Sequence, residues 1–121
     1  MLNLNSIMIG SSDPEKLAKF YQELLEQKPD GGEGWFGCDA GNCYLNIGAH
    51  DKVKGMAKNP ERILLNFETE DVEGEFERIK ELEGVEVVAE PYHPGEMEET
   101  TIATLADPEG NYFQLMTPWV G

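Results

Sequence analysis

Two aspartates, Asp13 and Asp71, stand about 58 residues apart, and each is preceded by a short apolar stretch and followed by an amphipathic one. Before Asp13 runs the partly alternating segment 3–10 (NLNSIMIG), which reads as a strand. Asp13 suits a helix cap, and Pro14 suits the first turn, where its missing N–H costs nothing. Leu17, Phe20, Tyr21, Leu24 and Leu25 then recur at i, i+3, i+4, i+7 and i+8, a single apolar helical face that predicts a helix over 13–27. The second copy has 63–67 (ILLNF) as its strand, Asp71 as its cap, and Val72, Phe76, Ile79 and Leu82 as its helical face, predicting a helix over 71–83. Superposing the aspartates pairs Ala18 with Phe76, Tyr21 with Ile79 and Leu24 with Leu82. A chain that says the same thing twice is expected to build one supersecondary unit twice.

The strands after each helix follow from turn signals. Gly31, Gly32 and Gly34 break the chain. Trp35–Cys38 and Cys43–Ile47 then flank the turn Asp39-Ala40-Gly41-Asn42 and read as a hairpin. Residues 50–60 are polar and aperiodic, a linker. In the second half 85–89, 100–105 and 112–116 read as strands, the last entered through Asp107-Pro108-Glu109-Gly110-Asn111. The expectation is an α+β fold of two tandem β-α-β-β-β modules, about 1–56 and 57–121. At 121 residues such a chain buries roughly two-thirds of its unfolded surface.

Charge narrows the partners. With 9 Lys plus Arg against 24 Asp plus Glu, the net charge is -15, and no basic stripe interrupts it. Such a surface repels phosphates and anionic headgroups, so neither nucleic acid nor membrane is an expected partner, whereas an organic cation is attracted. The same acidity also serves solubility. No basic leader with an apolar core opens the sequence, and no apolar run approaches the roughly 18 residues of a spanning helix, which points to the cytoplasm. Cys38 and Cys43 are too few for a disulfide framework. Across a regular four-residue turn they would face one another, close enough for a disulfide, although a reducing compartment favours two thiols and Asp39 would raise the pKa of Cys38.

An Asp-headed helix carrying Phe20-Tyr21, together with Asp107-Pro108-Glu109-Gly110-Asn111 and the alternating Tyr112-Phe113-Gln114-Leu115, resembles the vicinal oxygen chelate superfamily of glyoxalases, bleomycin-resistance proteins and extradiol dioxygenases. The resemblance spans nearly the whole chain. It implies curved mixed sheets that form a cleft, and frequent homodimers. Enzymes of that superfamily hold a divalent metal with side chains from the first and last strands of each module. The corresponding positions here are Ser6 and Leu64, seven residues before each aspartate, then Gln114, three after Asn111, and Asn46, matched through Leu45-Asn46-Ile47 and Phe113-Gln114-Leu115. Leucine has no lone pair, a neutral hydroxyl is a poor ligand, and amides bring no charge to balance a desolvated ion, so no metal and no other cofactor is expected.

Strand alternation sorts the remaining candidates. Met8, Tyr44, Asn46, Asn66, Glu68, Tyr112 and Gln114 share the faces of the four superfamily positions and form the expected ligand-binding set; Trp35 and Trp119 are aromatic walls or dimer contacts. Ile7, Ile9, Leu45, Ile47, Ile63, Leu65, Phe67, Phe113 and Leu115 are expected beneath the helices. His50 and His93 fall in loops and read as surface histidines, with acid–base work by His93 beside Glu96, Glu98 and Glu99 as the rival. Besides a pure interaction module whose cleft is filled by its own side chains, two functions compete. One is metal-independent capture of a small organic molecule by a homodimer, with Glu68 as a partner for a ligand cation. The other is an enzyme of the same superfamily, a lyase, isomerase or dioxygenase with displaced ligands or an acid–base catalyst using Glu68.

Overall fold

The computed structural model describes residues 1–118 and divides into two compact units, Met1–Gly55 and Met56–Gly121. Trp119 lies outside the described residues. The first unit runs β1 (Ser6–Ser11), α1 (Pro14–Leu25), β2 (Asp30–Gly32), β3 (Trp35–Asp39) and β4 (Tyr44–Ala49), with sheet order β1-β4-β3-β2. The second runs β5 (Leu65–Glu68), α2 (Val72–Ile79), β6 (Glu86–Tyr92), β7 (Ile102–Ala106) and β8 (Tyr112–Met116), ordered β5-β8-β7-β6. Each is a βαβββ module in which the first strand lies parallel to the last and the other pairings are antiparallel.

The repeated aspartates cap both helices. Asp13 Oδ1 accepts from Lys16 N at 3.4 Å, and Asp71 Oδ1 from Gly74 N at 2.9 Å. A hydroxyl two residues earlier fixes each cap in turn, since Asp13 N donates to Ser11 Oγ and Asp71 N to Thr69 Oγ1. That second correspondence also keeps the 58-residue offset, and a backbone amide held this way pins the chain's entry into the helix. α1 buries Leu17, Ala18, Phe20, Tyr21 and Leu24 with Cys38, Leu45 and Ile47 of its sheet. α2 buries Val72, Phe76 and Ile79 with Ala103, Leu105, Phe113 and Leu115. Each fully buried large side chain contributes about 1.5–3 kcal/mol, so truncating Leu17 or Phe113, both at 0% exposure, would loosen a whole module.

The boundaries differ from the sequence reading for local reasons. α1 stops at Leu25 because Glu26 turns left-handed at φ 55°. α2 stops at Ile79, and Leu82 sits half-buried in the following turn, its N–H bonded to Ile79 O at 3.0 Å. β1 begins at Ser6 rather than residue 3, because its first ladder partner is Tyr44, where β4 begins. A 3₁₀ turn at Pro60–Arg62 delays β5 to Leu65 and leaves Ile63 73% exposed, not beneath a helix. Ile7, Ile9, Leu65 and Phe67 are half-buried. The glycine-rich break is partly a strand, the edge strand β2.

The β3–β4 hairpin turns on two residues, Gly41-Asn42, closed by Ala40 N to Cys43 O at 3.0 Å, with Gly41 at φ +83° where an L side chain would be strained. This tighter loop shifts the register, so Cys38 lies opposite Leu45, and Cys43 lies beside Ala40. The expected face-to-face cysteine pair is therefore absent, and both thiols are free.

Candidate functional site

With Leu45, Ile47 and Cys38 turned toward α1, the alternate residues of the first sheet occupy its other face: Met8 on β1, Tyr44, Asn46 and Gly48 on β4, and Trp35 and Gly37 on β3. Two glycines make this face. A Cβ on Gly37 would stand 2.7 Å from Tyr44 Cε2, 3.1 Å from Asn46 Oδ1 and 3.3 Å from Trp35 Cη2. A Cβ on Gly48 would stand 2.8 Å from Met8 Cε and 3.9 Å from Trp35 Cδ1. The indole thus lies along a floor without side chains, with the Tyr44 ring at one end and the Met8 thioether at the other. Trp35 is 46% exposed and Met8 56%, so this apolar area faces outward.

Polar groups frame it. The Tyr44 hydroxyl donates to Asp30 Oδ2 at 3.0 Å, reaching across β3 above Gly37. That bond, with burial and the charges of Asp30 and Asp39, holds the phenol above its ordinary pKa. Burial, and then the charge of Asp30, push the Cys38 thiol up as well; Asp30 takes the part that the sequence suggested for its neighbour Asp39. Asn46 Oδ1 is buried and has no hydrogen-bond partner among the described residues.

The second sheet carries the equivalent position with a different partner. Met8 pairs with Asn46 and Asn66 with Gln114, so the two amides occupy equivalent places. Opposite Gln114 stands Thr104, whose Oγ1 accepts from Gln114 Nε2 at 3.0 Å; opposite Asn46 stands Gly37. One module closes the pair internally, and the other leaves a carbonyl oxygen unsatisfied. Asn66 and Glu68 are exposed on β5, Tyr112 and Gln114 are half-buried on β8, and Glu68 lies beside Met116. Of the seven expected binding residues, Met8, Tyr44 and Asn46 therefore gather on the first sheet and Asn66, Glu68, Tyr112 and Gln114 on the second.

A family model for the glyoxalase-like domain matches residues 6–116. The chain belongs to this family. Solved structures similar to this glyoxalase-like domain include a glyoxalase/bleomycin resistance protein/dioxygenase family enzyme from Burkholderia phytofirmans, at 21% identity and TM-score 0.78 over 96% of this chain and 98% of that one. The fosfomycin resistance protein FosX from Listeria monocytogenes matches at 21% identity and TM-score 0.74, over 99% and 96%. TioX from a Micromonospora strain matches at 11% identity and TM-score 0.73, over 95% and 98%. Among curated proteins, none matches by sequence.

The superfamily's metal does not fit the donors of this glyoxalase-like domain. Ser6 pairs with Tyr44, diagonal to Asn46; Asn46 offers one neutral oxygen crowded by two rings; Gln114 is engaged with Thr104; Leu64 offers nothing. Among the described residues no three His, Cys, Asp or Glu side chains gather as a metal cluster. His50 lies on the first module, outside the Trp35 floor, and His93 lies on the second module. His50 packs over Gly10 at the end of β1, accepts from Lys52 N through Nδ1 at 3.1 Å, and borders a surface depression of about 830 Å³ with Ser11, Val53 and Lys54. His93 donates through Nδ1 to Thr100 O at 2.9 Å. That bond orients the ring from its own loop through Nδ1 and leaves Nε2 outside it. Sequence reasoning missed the glycine floor and Asp30. Gly37 inside a strand was the available signal, since an interior glycine marks a close approach. Among the described residues no helix is long and apolar enough to cross a membrane.

Proposed function

We propose that this glyoxalase-like domain captures a small organic molecule without the aid of a divalent metal, using Met8, Tyr44, Asn46, Asn66, Glu68, Tyr112 and Gln114 together with Trp35. The observation that carries the reading is the unsatisfied Oδ1 of Asn46 on the glycine floor. A buried acceptor without a donor costs about 1–3 kcal/mol, and a hydroxyl donor across the ladder, where the second module has Thr104 and the first has Gly37, would relieve it. An arrangement that forgoes this relief, next to outward-facing Trp35 and Met8, suits a ligand that supplies apolar area and a donor. The printed names of the similar structures, bleomycin and fosfomycin resistance proteins among them, accord with small-molecule work. The enzymatic alternative with a displaced metal set lacks a donor cluster among the described residues.

The test is a thermal-shift screen of aromatic and cationic small molecules against the wild type and the Tyr44→Ala, Gln114→Ala and Glu68→Gln variants. Stabilisation of the wild type that falls in these variants supports capture. No stabilising compound, or stabilisation unchanged in all three, refutes it. Stoichiometric zinc, iron, manganese or nickel in protein purified without added metal and lost on mutating Gln114 would refute metal independence. Homodimerisation in the cytoplasm completes the proposal; light scattering that gives 13.5 kDa across micromolar concentrations would remove the dimer from it.

A further inference from the structure

We infer that the first module's face selects a protonated amine carrying an aromatic or alkyl group, in preference to both a neutral isostere and a quaternary ammonium ion. The inference rests on the capture reading and names the ligand class for one part of it. Four groups converge above Gly37. Tyr44 Cε2, Asn46 Oδ1 and Trp35 Cη2 lie within 3.3 Å of the point where a Cβ would be, and the Tyr44 hydroxyl donates at 3.0 Å to Oδ2 of Asp30, the residue paired with Gly37 on β2. Each asks something of a ligand. The outer face of the indole, 46% exposed, attracts a cation through its quadrupole and offers flat apolar area. Asp30 is exposed and anionic, and it attracts positive charge. Asn46 Oδ1 is an acceptor only and has no donor among the described residues, so it calls for an N–H or O–H.

A quaternary ammonium ion meets the first two demands and fails the third, because it carries no N–H. A neutral alcohol meets the third and fails the charge. A protonated amine meets all of them. Tyr44 guards the position: its ring overlies Gly37 and its hydroxyl holds Asp30. An incoming ammonium ion takes over Asp30, the Tyr44 ring swings off Gly37 with its hydroxyl to water, and Asn46 Oδ1 is bared to an N–H of the ligand. Gly37 is required throughout, since any side chain there would occupy the point at which these groups meet.

The experiment uses the full chain and three probes that share a phenethyl group: phenethylammonium, its N,N,N-trimethyl derivative and phenethyl alcohol. Binding is followed by nuclear magnetic resonance on the Trp35 indole N–H, assigned with a Trp119→Phe variant, and on the Asn46 side-chain amide. Phenethylammonium is expected to bind at least tenfold tighter than either other probe, to shift both signals, and in Asp30→Asn to lose its margin over the alcohol while keeping that over the trimethyl derivative. Tyr44→Phe, which keeps the ring and releases Asp30, is expected to tighten the ammonium probe severalfold and leave the alcohol unchanged. Equal affinity for ammonium and alcohol, or for ammonium and its trimethyl derivative, overturns the amine selectivity while capture of aromatic compounds stands. Failure of all three probes to shift either signal overturns this subsite; if the compound screen also finds no ligand, the capture reading falls with it.

Discussion

Replacing Asn46 by leucine is expected to make the protein more stable and less able to bind. The two side chains have nearly the same shape, so no cavity opens. The substitution removes a buried carbonyl oxygen that has no partner, a state that costs about 1–3 kcal/mol. Asn46 as a whole is only half-buried, so the lower end applies, and the gain should be about 1 kcal/mol. For a chain of this length that corresponds to a rise in Tm of roughly 3–5 °C. Urea unfolding should show a higher midpoint at unchanged slope, which assigns the gain to the native contacts rather than to a different unfolded state. The same variant should bind phenethylammonium at least tenfold more weakly. The reasoning is refuted if Asn46→Leu lowers the midpoint, because Oδ1 would then be accepting a stabilising hydrogen bond in the free protein. An isosteric exchange at Gln114, whose amide donates to Thr104, should do the reverse and destabilise, since Thr104 would lose its partner.

Four further outcomes follow from the geometry. Asp107 is 1% exposed and its Oδ1 accepts from both Glu109 N and Asn111 N, at 2.9 and 3.0 Å, so Asp107→Ala should cost about 3–4 kcal/mol in urea unfolding while Asp107→Asn costs less. Gly31→Ala should destabilise by about 1–3 kcal/mol, because φ is +106° and the new Cβ would run into the Trp35 carbonyl oxygen; Gly32→Ala, with open space around it, gives the reference for backbone strain alone. A thiol reagent at neutral pH should modify Cys43 and spare Cys38 until the protein unfolds. The Cys38 pKa is raised in the folded state, so the stability it contributes is complete below the unfolded value near 9.0 and is lost as pH rises toward the folded value; Cys38→Ala should flatten that alkaline decline.

Period and punctuation in the chain were enough to determine the modules. Helix faces at 3.6-residue spacing, two capping aspartates at one offset and alternating strands are local signals, and a local signal survives whatever the chain later packs against. The Asp107–Asn111 turn was legible for the same reason, because its carboxylate bonds to amides two and four residues away. Ladder register was not legible. A two-residue loop at Gly41-Asn42 and a four-residue one read alike in composition, yet they differ by which residue meets Cys38. The site depends on register throughout. Asn46 and Gln114 look equivalent in sequence, and only the residue placed across the ladder, Gly37 or Thr104, decides that one amide is satisfied and the other is not. Asp30 enters the site in the same way, set beside Gly37 by the pairing of β2 with β3, whereas Trp35 stands two residues from Gly37 on β3 itself. A sequence determines its own periodicities, but a partner across a sheet is chosen by hydrogen bonding between segments, and that information exists only once they have paired.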